Sequence, residues 1–301
     1  MTAETTGQSG YWQLDVEMTA HTIALETALE AVLDVQALSS HKSESGYNQL
    51  QAWFDTPPDR ELIEHLITAS VDADKLQGWQ ISEVSGRDWL AENRKSFPPL
   101  LIDRFWIYGS HVNDAPPAGT LPLLVDAAQA FGSGTHPTTR ACLHLLHDFA
   151  RHRPAPRRIL DMGCGSAILA MAAHRLFKAS QIIAADADIR SVEATRLNRR
   201  LNHISPRQLK AVHSLGFAHP DTRSDAPYDL IFANILAGPL RQLSAPLSRH
   251  LSPSGRLILS GLLSSQTQSV LSAYHARNMM AEDILTLGDW TAIILKHRRR
   301  G

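Results

Sequence analysis

The sequence predicts an α/β protein in which a doubly wound, mostly parallel sheet follows a small α+β domain. From about residue 157 onward, apolar segments of strand length alternate with amphipathic segments of helix length, which is typical of a parallel sheet with helices on both faces. The first of these strands leads directly into glycines and a helix. The last two, 282–287 and 290–296, are separated only by Gly288 and Asp289. Since this connection is too short for a crossover helix, it predicts an antiparallel hairpin.

Five further strands are expected between residue 157 and this hairpin. They lie at 157–162, 181–186, 209–213, 228–233 and 255–260. Apolar strands joined by helix-length connections predict a Rossmann-like, doubly wound parallel sheet. A mostly parallel sheet that is completed by an antiparallel hairpin resembles the class I S-adenosylmethionine-dependent methyltransferase fold, whose seventh strand is inserted antiparallel.

The N-terminal part has a different pattern. A strand is expected at 11–18, where apolar residues alternate onto one face. Helices are expected near 21–33 and 58–69, and short strand pieces near 47–54 and 78–84. A cluster of Pro and Gly at 116–119 marks a junction. These signals predict an α+β domain at 1–84, a linker at 85–118 and the sheet domain at 119–301.

Composition narrows the classes of partner and compartment. The 301 residues have a formal net charge of -1, which provides no basic field for nucleic acid or an anionic membrane, so no direct nucleic-acid binding is expected. Two cysteines exclude a disulfide framework and fit a reducing compartment. The sequence lacks a signal peptide and any apolar stretch of the ~18 residues that a membrane span needs. We therefore expect a cytoplasmic protein with no membrane partner.

A bound metal is not expected either. His136, His144 and His147 are the histidines that most resemble ligands, because they lie near one another in the sequence and the last two are three residues apart. The sequence offers no carboxylate or cysteine cluster to complete such a site. We interpret them as ordinary surface or core histidines.

The strongest local motif is a strand followed by a glycine-rich turn. The apolar segment 158–162 leads into Gly163 and Gly165 and then into a helix, so a ligand can approach the backbone and meet helix amides. A dinucleotide fingerprint would have a third glycine where Ile168 stands. The turn therefore predicts a nucleotide-type cofactor site of another kind, with Gly163 and Gly165 as contacts.

Two polar residues end neighbouring strands of the predicted sheet. Asp186 ends the second strand, where a carboxylate can accept two hydrogen bonds from ribose hydroxyls. Asp188 remains an alternative, although it is better placed to cap the next helix. Asn234 ends the fourth strand, where its amide oxygen can face an amine and its other groups the cofactor. A helix cap remains the alternative for Asn234.

A loop rich in Gly and Thr, 130–139, precedes a helix upstream of the sheet. Its amides and hydroxyls, Thr135 among them, suit the polar end of a cofactor. Phe131 can cover a ring or face a sulfonium. Taken alone, this segment would be only a capped helix start.

The order and approximate spacing of several motifs resemble the PrmA family of bacterial ribosomal protein methyltransferases. The motifs are the loop 130–139, the turn 163–166 and the segment 234–239, with further similarity at 88–89, 257–261 and 289–290. The resemblance covers most of residues 88–296, whereas the N-terminal part is similar in layout more than in residues. Two departures stand out: Ala167 replaces the third glycine of the turn, and Ala127-Ala128 replaces a Pro-Gly pair.

The resemblance implies methyl transfer from S-adenosylmethionine to lysine side chains and the N-terminal amine of the eleventh protein of the large ribosomal subunit. The family's cofactor contacts correspond to Thr139, Gly163, Asp186 and Asn234, and Asn234 is also the expected catalytic residue, which orients the amine. The N-terminal domain would recognise the substrate. Two alternatives stay open: a methyltransferase of the same fold that acts on another protein lysine or a small molecule, and a non-catalytic cofactor-binding module associated with the ribosome.

Overall fold

The chain divides into two compact units, Met1–Lys95 and Ser96–Gly301. The structure is a computed structural model. It describes the following residues: 11–20, 23–33, 35, 37–42, 46–54, 56–84, 99–126 and 136–298.

The first unit is a four-stranded antiparallel sheet with two helices. Its elements are β1 (Tyr11–Met18), α1 (Ile23–Val32), β2 (Ala37–Lys42), β3 (Asn48–Phe54), α2 (Arg60–Ser70) and β4 (Leu76–Val84). The strand order β2-β3-β1-β4 is that of a ferredoxin-like fold. Alternate residues of β1, among them Leu14 and Val16, are fully buried in a core that includes Leu29 of α1 and Ile63 of α2.

Helix α2 begins where the sequence provides a cap. The Asp59 side chain accepts hydrogen bonds from the amides of Glu61 and Leu62, which satisfies two of the free amides at the helix start. Strand β2 has no counterpart among the sequence predictions. Its residues include Ser39-Ser40-His41-Lys42, which have little intrinsic preference for strands.

The second unit starts with a small sheet that the sequence did not predict. Strands β5 (Leu100–Ile102), β6 (Phe105–Tyr108) and β7 (Leu121–Leu124) pair in that order. Strands β5 and β6 lie inside the segment 85–118 that was expected to be a linker. The physical reason is burial: Phe105 and Ile107 are buried in the core of the second unit. The structured part of this unit therefore begins before residue 119.

The remaining elements alternate between helix and strand. They are α3 (Pro137–His152), β8 (Arg158–Met162), α4 (Ile168–Leu176), β9 (Gln181–Asp186), α5 (Ile189–Leu201), β10 (Leu209–His213), α6 (Pro220–Ser224), β11 (Tyr228–Asn234), α7 (Ala237–Gln242), α8 (Ser244–His250), β12 (Leu251–Leu263), α9 (Thr267–His275), β13 (Met279–Leu287) and β14 (Trp290–His297). Their seven strands form one sheet in the order β10-β9-β8-β11-β12-β14-β13.

The sheet has the predicted mixture of strand directions. Strands β10, β9, β8, β11 and β12 pair in parallel. Strand β14 is inserted between β12 and β13 and is antiparallel to both. The expected doubly wound sheet with a C-terminal antiparallel hairpin is therefore confirmed.

The strand order reverses between β8 and β11, which are neighbours in the sheet but not in the chain. In open α/β sheets, ligands bind at the carboxyl ends of the strands that flank such a switch point. Here those ends are Met162, followed by Gly163, and Asn234. Among the residues that the structure describes, no helix has both the length and the apolar character to span a membrane.

Candidate active site

The turn after β8 is tightly constrained by the strands around it. The amides of Gly163 and Cys164 both donate to the carbonyl of Ala185, at 2.8 and 3.2 Å. Gly163 has φ = +73°, and a Cβ there would lie 2.2 Å from Ile235 Cγ2. Because both the dihedral and the space exclude a side chain, only glycine fits this position without strain.

The turn continues with two more residues in the left-handed region. Gly165 has φ = +51° and Ala167 has φ = +63°. Ala167 is fully buried and immediately precedes α4. An alanine in this conformation is strained by roughly 1–2 kcal/mol, so the replacement of the motif glycine retains the turn at a modest cost.

Asp186 holds this turn while remaining partly accessible. One of its carboxylate oxygens accepts from the amide of Gly165 at 2.9 Å, and the other accepts from the amide of Asp188 at 3.0 Å. Each carboxylate oxygen has a further lone pair, so Asp186 can also accept from a ligand hydroxyl. Asp188, in contrast, caps α5 by accepting from the amide of Arg190 at 2.9 Å.

Asn234 lies at the carboxyl end of β11 with an incomplete set of hydrogen bonds. Its Nδ2 donates to the Thr139 hydroxyl at 3.4 Å. Its Oδ1 is buried and has no hydrogen-bond partner among the residues that the structure describes. Because a buried amide oxygen without a partner is costly, this atom marks a place where a donor from a ligand or substrate would bind.

The following residues show that Asn234 is not a helix cap. The N-cap of α7 is Leu236, and no side chain caps that helix. The segment is instead held by β12: Gly261 has φ = +84°, and a Cβ there would lie 2.3 Å from the carbonyl oxygen of Ile235. The close approach of these two backbones fixes the direction in which β11 ends.

Helix α3 brings Thr139 to Asn234. Thr139 is fully buried in the first turn of this helix. The N-cap is His136, whose Nδ1 accepts from the amide of Thr138 at 3.3 Å and whose ring contacts Trp290 edge to face, with centroids 4.7 Å apart. Burial lowers the pKa of His136 to about 4. The ring is therefore neutral at pH 7 and adds no positive charge.

The residues that the structure describes contain no metal site beside these groups. Nowhere in the described part of the chain does a group of three or more His, Cys, Asp or Glu have an arrangement that could hold a metal ion. His144 and His147 instead contact Asp103, with Nδ1 2.7 and 3.7 Å from one carboxylate oxygen.

A row of buried polar side chains on α5 supports the glycine turn from behind, and the sequence did not reveal it. Thr195 donates to the carbonyl of Gly165 at 3.0 Å, and Asn198 donates to that of Ser166 at 2.9 Å. Asn202, directly after α5, bonds both the amide and the carbonyl of Leu124 in β7. The spacing of three and four residues along the helix was the available signal.

Asn198 also connects this row to the loop that precedes α3. Its Oδ1 accepts from the amide of Asp126 at 3.0 Å. Thr195, Asn198 and Asn202 are all buried. The turn is thus fixed by Asp186 on one side and by the α5 row on the other.

Strands β9 and β10 border an open cleft of about 560 Å³ beyond Asp186. Its lining includes Ala187, Ser214 and Leu215. Leu215 is 79% exposed at the mouth of this cleft. Sequence reasoning did not identify this cleft, because its residues contribute shape rather than a polar motif.

A buried carboxyl lies at the end of β8. Asp161 is 1% exposed, and its side chain accepts from the amide of Ala170 at 3.0 Å. Burial raises the pKa of Asp161 from 3.8 to about 7. This carboxyl joins β8 to α4 and so holds both ends of the turn.

The structure brings four of the predicted site residues to one edge of the sheet. Gly163, Gly165, Asp186 and Asn234 lie at or after the carboxyl ends of β8, β9 and β11, and Thr139 contacts Asn234. Phe131 and Thr135 lie outside the described residues, as does the Ala127-Ala128 pair.

Comparison with known proteins identifies the family. A family model described as "Ribosomal protein L11 methyltransferase (PrmA)" matches residues 4–298. A ribosomal protein L11 methyltransferase of Rhodopseudomonas palustris is 38% identical over 242 residues, which cover 80% of this chain and 81% of the relative. A ribosomal protein L11 methyltransferase of Bradyrhizobium diazoefficiens is 34% identical over 283 residues, which cover 91% of this chain and 95% of the relative.

A solved structure agrees with this assignment. The crystal structure of a ribosomal protein L11 methylase from Lactobacillus delbrueckii subsp. bulgaricus matches with a TM-score of 0.60 at 27% identity, and the match covers 67% of this chain and 100% of that chain. The fold, the family match and these relatives agree: the chain belongs to the ribosomal protein L11 methyltransferase (PrmA) family and has the class I S-adenosylmethionine-dependent methyltransferase fold.

Proposed function

We propose that this protein transfers methyl groups from S-adenosylmethionine to lysine side-chain amines and the N-terminal amine of ribosomal protein L11 in the cytoplasm. The observation that carries the proposal is the buried Oδ1 of Asn234, which has no partner among the described residues and lies at the switch point of the sheet. The names of the relatives supply the substrate protein.

The residues around the turn fit the cofactor. Asp186 has lone pairs for the ribose hydroxyls in addition to the two amide bonds that it accepts. Gly163 and Gly165 both have positive φ, a backbone conformation that keeps the turn tight and brings the Gly165 amide to Asp186. The cleft beside Asp186 has the apolar lining that a purine ring would occupy. When bound, S-adenosylmethionine supplies an electrophilic methyl group on sulfur.

The second half of the site lies at the start of α3. Thr139 contacts Asn234 and is proposed to hold the cofactor together with Phe131 and Thr135 of the preceding loop. The Thr139 hydroxyl accepts a long hydrogen bond of 3.4 Å from Asn234 Nδ2, which places Nδ2 on the Thr139 side of the amide. Because the amide group is planar, this contact also places Oδ1 on the side of the amide away from Thr139.

Asn234 is proposed to orient the attacking amine. A lysine amine reaches the site as a cation, and losing its proton from a pKa of ~10.4 at pH 7 costs roughly 4–5 kcal/mol. Desolvation in the site reduces this cost. The neutral amine donates one N–H to Asn234 Oδ1, which directs its lone pair toward the methyl group. The neutral ring of His136 at the same helix start does not oppose the entry of the amine.

The first unit is proposed to recognise the protein substrate. The segment Met1–Lys95 contains 16 Asp and Glu against 6 Lys and Arg. Ribosomal proteins are commonly basic, because they bind RNA phosphates. An acidic unit that is separate from the sheet is therefore suited to hold such a protein while one of its amines enters the site.

The experiment that tests the proposal is a methylation assay with purified ribosomal protein L11. The protein, L11 and S-adenosylmethionine are incubated together, and L11 is analysed by intact mass and peptide mapping. We expect methyl groups on lysine side chains and on the N-terminal amine, and none with Asn234→Ala over the same time. Cofactor binding without modification of L11 would favour another substrate or a non-catalytic module.

A further inference from the structure

The net charge of -1 conceals two opposite charge surpluses, one in each unit. The first unit, Met1–Lys95, has an excess of ten negative charges. The second, Ser96–Gly301, contains 23 Lys and Arg against 14 Asp and Glu, an excess of nine positive charges. Such asymmetry within one chain indicates polyanion binding by the basic part.

The positive charges of the second unit gather at one edge of the seven-stranded sheet. This edge is formed by the amino ends of the parallel strands, and we call it the basic edge. It comprises the segments that run from the last turn of each helix to the start of the next strand. The end of the antiparallel strand β14 also belongs to it. These segments are 151–158, 175–181, 199–210, 223–229, 249–256, 275–282 and 296–298. They contain 16 Lys and Arg and three acidic residues, Asp225, Asp229 and Glu282. Asp221, just outside these segments, forms an ion pair with Lys210.

The excess of Lys and Arg at the basic edge is larger than the stabilisation of helix ends would require. Cations in the last turn of a helix stabilise it, and six of the 16 have such a position, namely Arg151, Arg175, Arg199, Arg200, Arg223 and Arg249. The other ten lie in loops or strand ends.

Two of the acidic residues are occupied by other contacts. Glu282 binds Arg153, Arg256 and Lys296 together, so this cluster keeps a net positive charge. Asp229 accepts from the backbone amides of Arg157 and Arg158 and from Ser252. The side chains of Arg151, Arg157 and Arg207 are exposed and have no ion pair among the described residues.

We propose that the basic edge is a docking surface for the phosphate backbone of double-stranded RNA. Of its 16 cations, 13 are Arg, whose planar guanidinium binds phosphate oxygens through two parallel hydrogen bonds. Binding of single strands relies on exposed aromatic rings, but Phe177 and Tyr228, the Phe, Tyr and Trp residues of these segments, are buried. The surface is therefore suited to backbone contacts rather than base stacking. The choice of RNA among polyanions rests on the proposed ribosomal function.

The dimensions and position of the basic edge agree with this ligand. Seven strands at a spacing of about 4.8 Å extend over about 29 Å. A DNA duplex carries about 17 phosphates over this length, and the more compact A-form RNA duplex carries at least as many. The proposed methyl-transfer site lies at the opposite, carboxyl edge of the same sheet. RNA bound at the basic edge would leave Asn234 and the glycine turn free, so the enzyme can hold a ribosomal particle while its other edge faces the protein substrate.

The test is binding of the full-length protein to a fluorescein-labelled 20-base-pair RNA duplex of arbitrary sequence, followed by anisotropy between 50 and 200 mM salt. With about five phosphate contacts, log Kobs should fall with log salt at a slope of about -4.5. The variant Arg151→Gln/Arg157→Gln/Arg207→Gln should make this slope shallower by about three units, to about -1.5. Methylation of free ribosomal protein L11 should remain as in the wild type, which separates this proposal from the proposed function.

A matched variant removes the same charge from the other edge. Arg140, Arg190 and Arg241 lie near the carboxyl ends of the strands, and their replacement by Gln should leave the slope unchanged. Equal losses in both variants, or no binding at 50 mM salt, would overturn the proposal. Sedimentation provides a further check. A dimer that the Arg151→Gln/Arg157→Gln/Arg207→Gln variant dissociates would show that the basic edge binds the acidic unit of a second copy, and this would also overturn the proposal.

Discussion

Gly163→Ala measures how tightly the turn is enclosed. The new Cβ would lie 2.2 Å from Ile235 Cγ2, in a residue with φ = +73°. The left-handed conformation costs alanine about 1–2 kcal/mol, and forcing a methyl group into a filled space costs about 1–3 kcal/mol more. We expect the free energy of unfolding to fall by about 2–5 kcal/mol, together with a loss of S-adenosylmethionine binding.

A double-mutant cycle separates the two contributions. Ile235→Ala removes Cγ2, so it should recover the packing part of the loss, with a coupling energy of about 1–3 kcal/mol. Gly261→Ala is the matched control, because its Cβ would lie 2.3 Å from the carbonyl oxygen of Ile235, which Ile235→Ala retains. Urea denaturation of the three single variants and the two double variants gives the coupling energy of Ile235 with Gly163 and with Gly261. The reasoning would be refuted if Ile235→Ala restored stability to both glycine variants, or to neither of them.

Three other variants test the surroundings of the turn. Asp186→Ala should weaken S-adenosylmethionine binding about 10-fold or more, since the ribose loses its acceptor; an unchanged dissociation constant in calorimetry would remove Asp186 from the site. The Asp161 carboxyl, with its pKa raised from 3.8 to about 7, holds a proton when folded that it releases when unfolded, so the contribution of Asp161 to the free energy of unfolding should decline as pH rises from about 4 to about 7. Asp161→Asn should abolish that decline in urea titrations. Ala167→Gly should change the free energy of unfolding by less than about 1 kcal/mol, because relief of strain is offset by lost burial and by unfolded-state entropy; a loss above about 2 kcal/mol contradicts this.

The main sheet could be predicted from the sequence because its strands are buried on both faces. The centres of such strands are continuous apolar runs, as 230–233 and 257–259 show, and the two residues between the last strands define the hairpin. Short strands were missed: β5 has three residues, and β7 contains Pro122. The pairing of these two strands depends on tertiary contacts that bury Ile102 and Leu123, not on local preference.

The positions of the candidate site residues were predictable where a residue ends a strand. Gly163, Asp186 and Asn234 follow three buried strands, and parallel strands bring their carboxyl ends to one edge. The polar row on α5 was not predictable in the same way, because Thr195 and Asn198 in a polar helix resemble an exposed face until the packing is known.

The charge of the chain is informative only when it is counted separately for each unit. Summed over 301 residues it is nearly zero, which led to the expectation of no nucleic-acid contact. Divided at Lys95, the same residues give two strongly charged units. Net charge therefore describes a partner surface only when it is counted for each unit.

Asn234→Ala tests the proposed role of the amide directly. Since Oδ1 has no partner among the described residues and Nδ2 makes one long contact of 3.4 Å, its removal should change the free energy of unfolding by less than about 1 kcal/mol. Single-turnover methylation of ribosomal protein L11 at saturating S-adenosylmethionine, measured beside thermal melting, is the decisive assay. We predict a normal melting temperature and a rate lower by a factor on the order of 100 or more. A destabilised variant that transfers methyl groups at the wild-type rate would contradict the account.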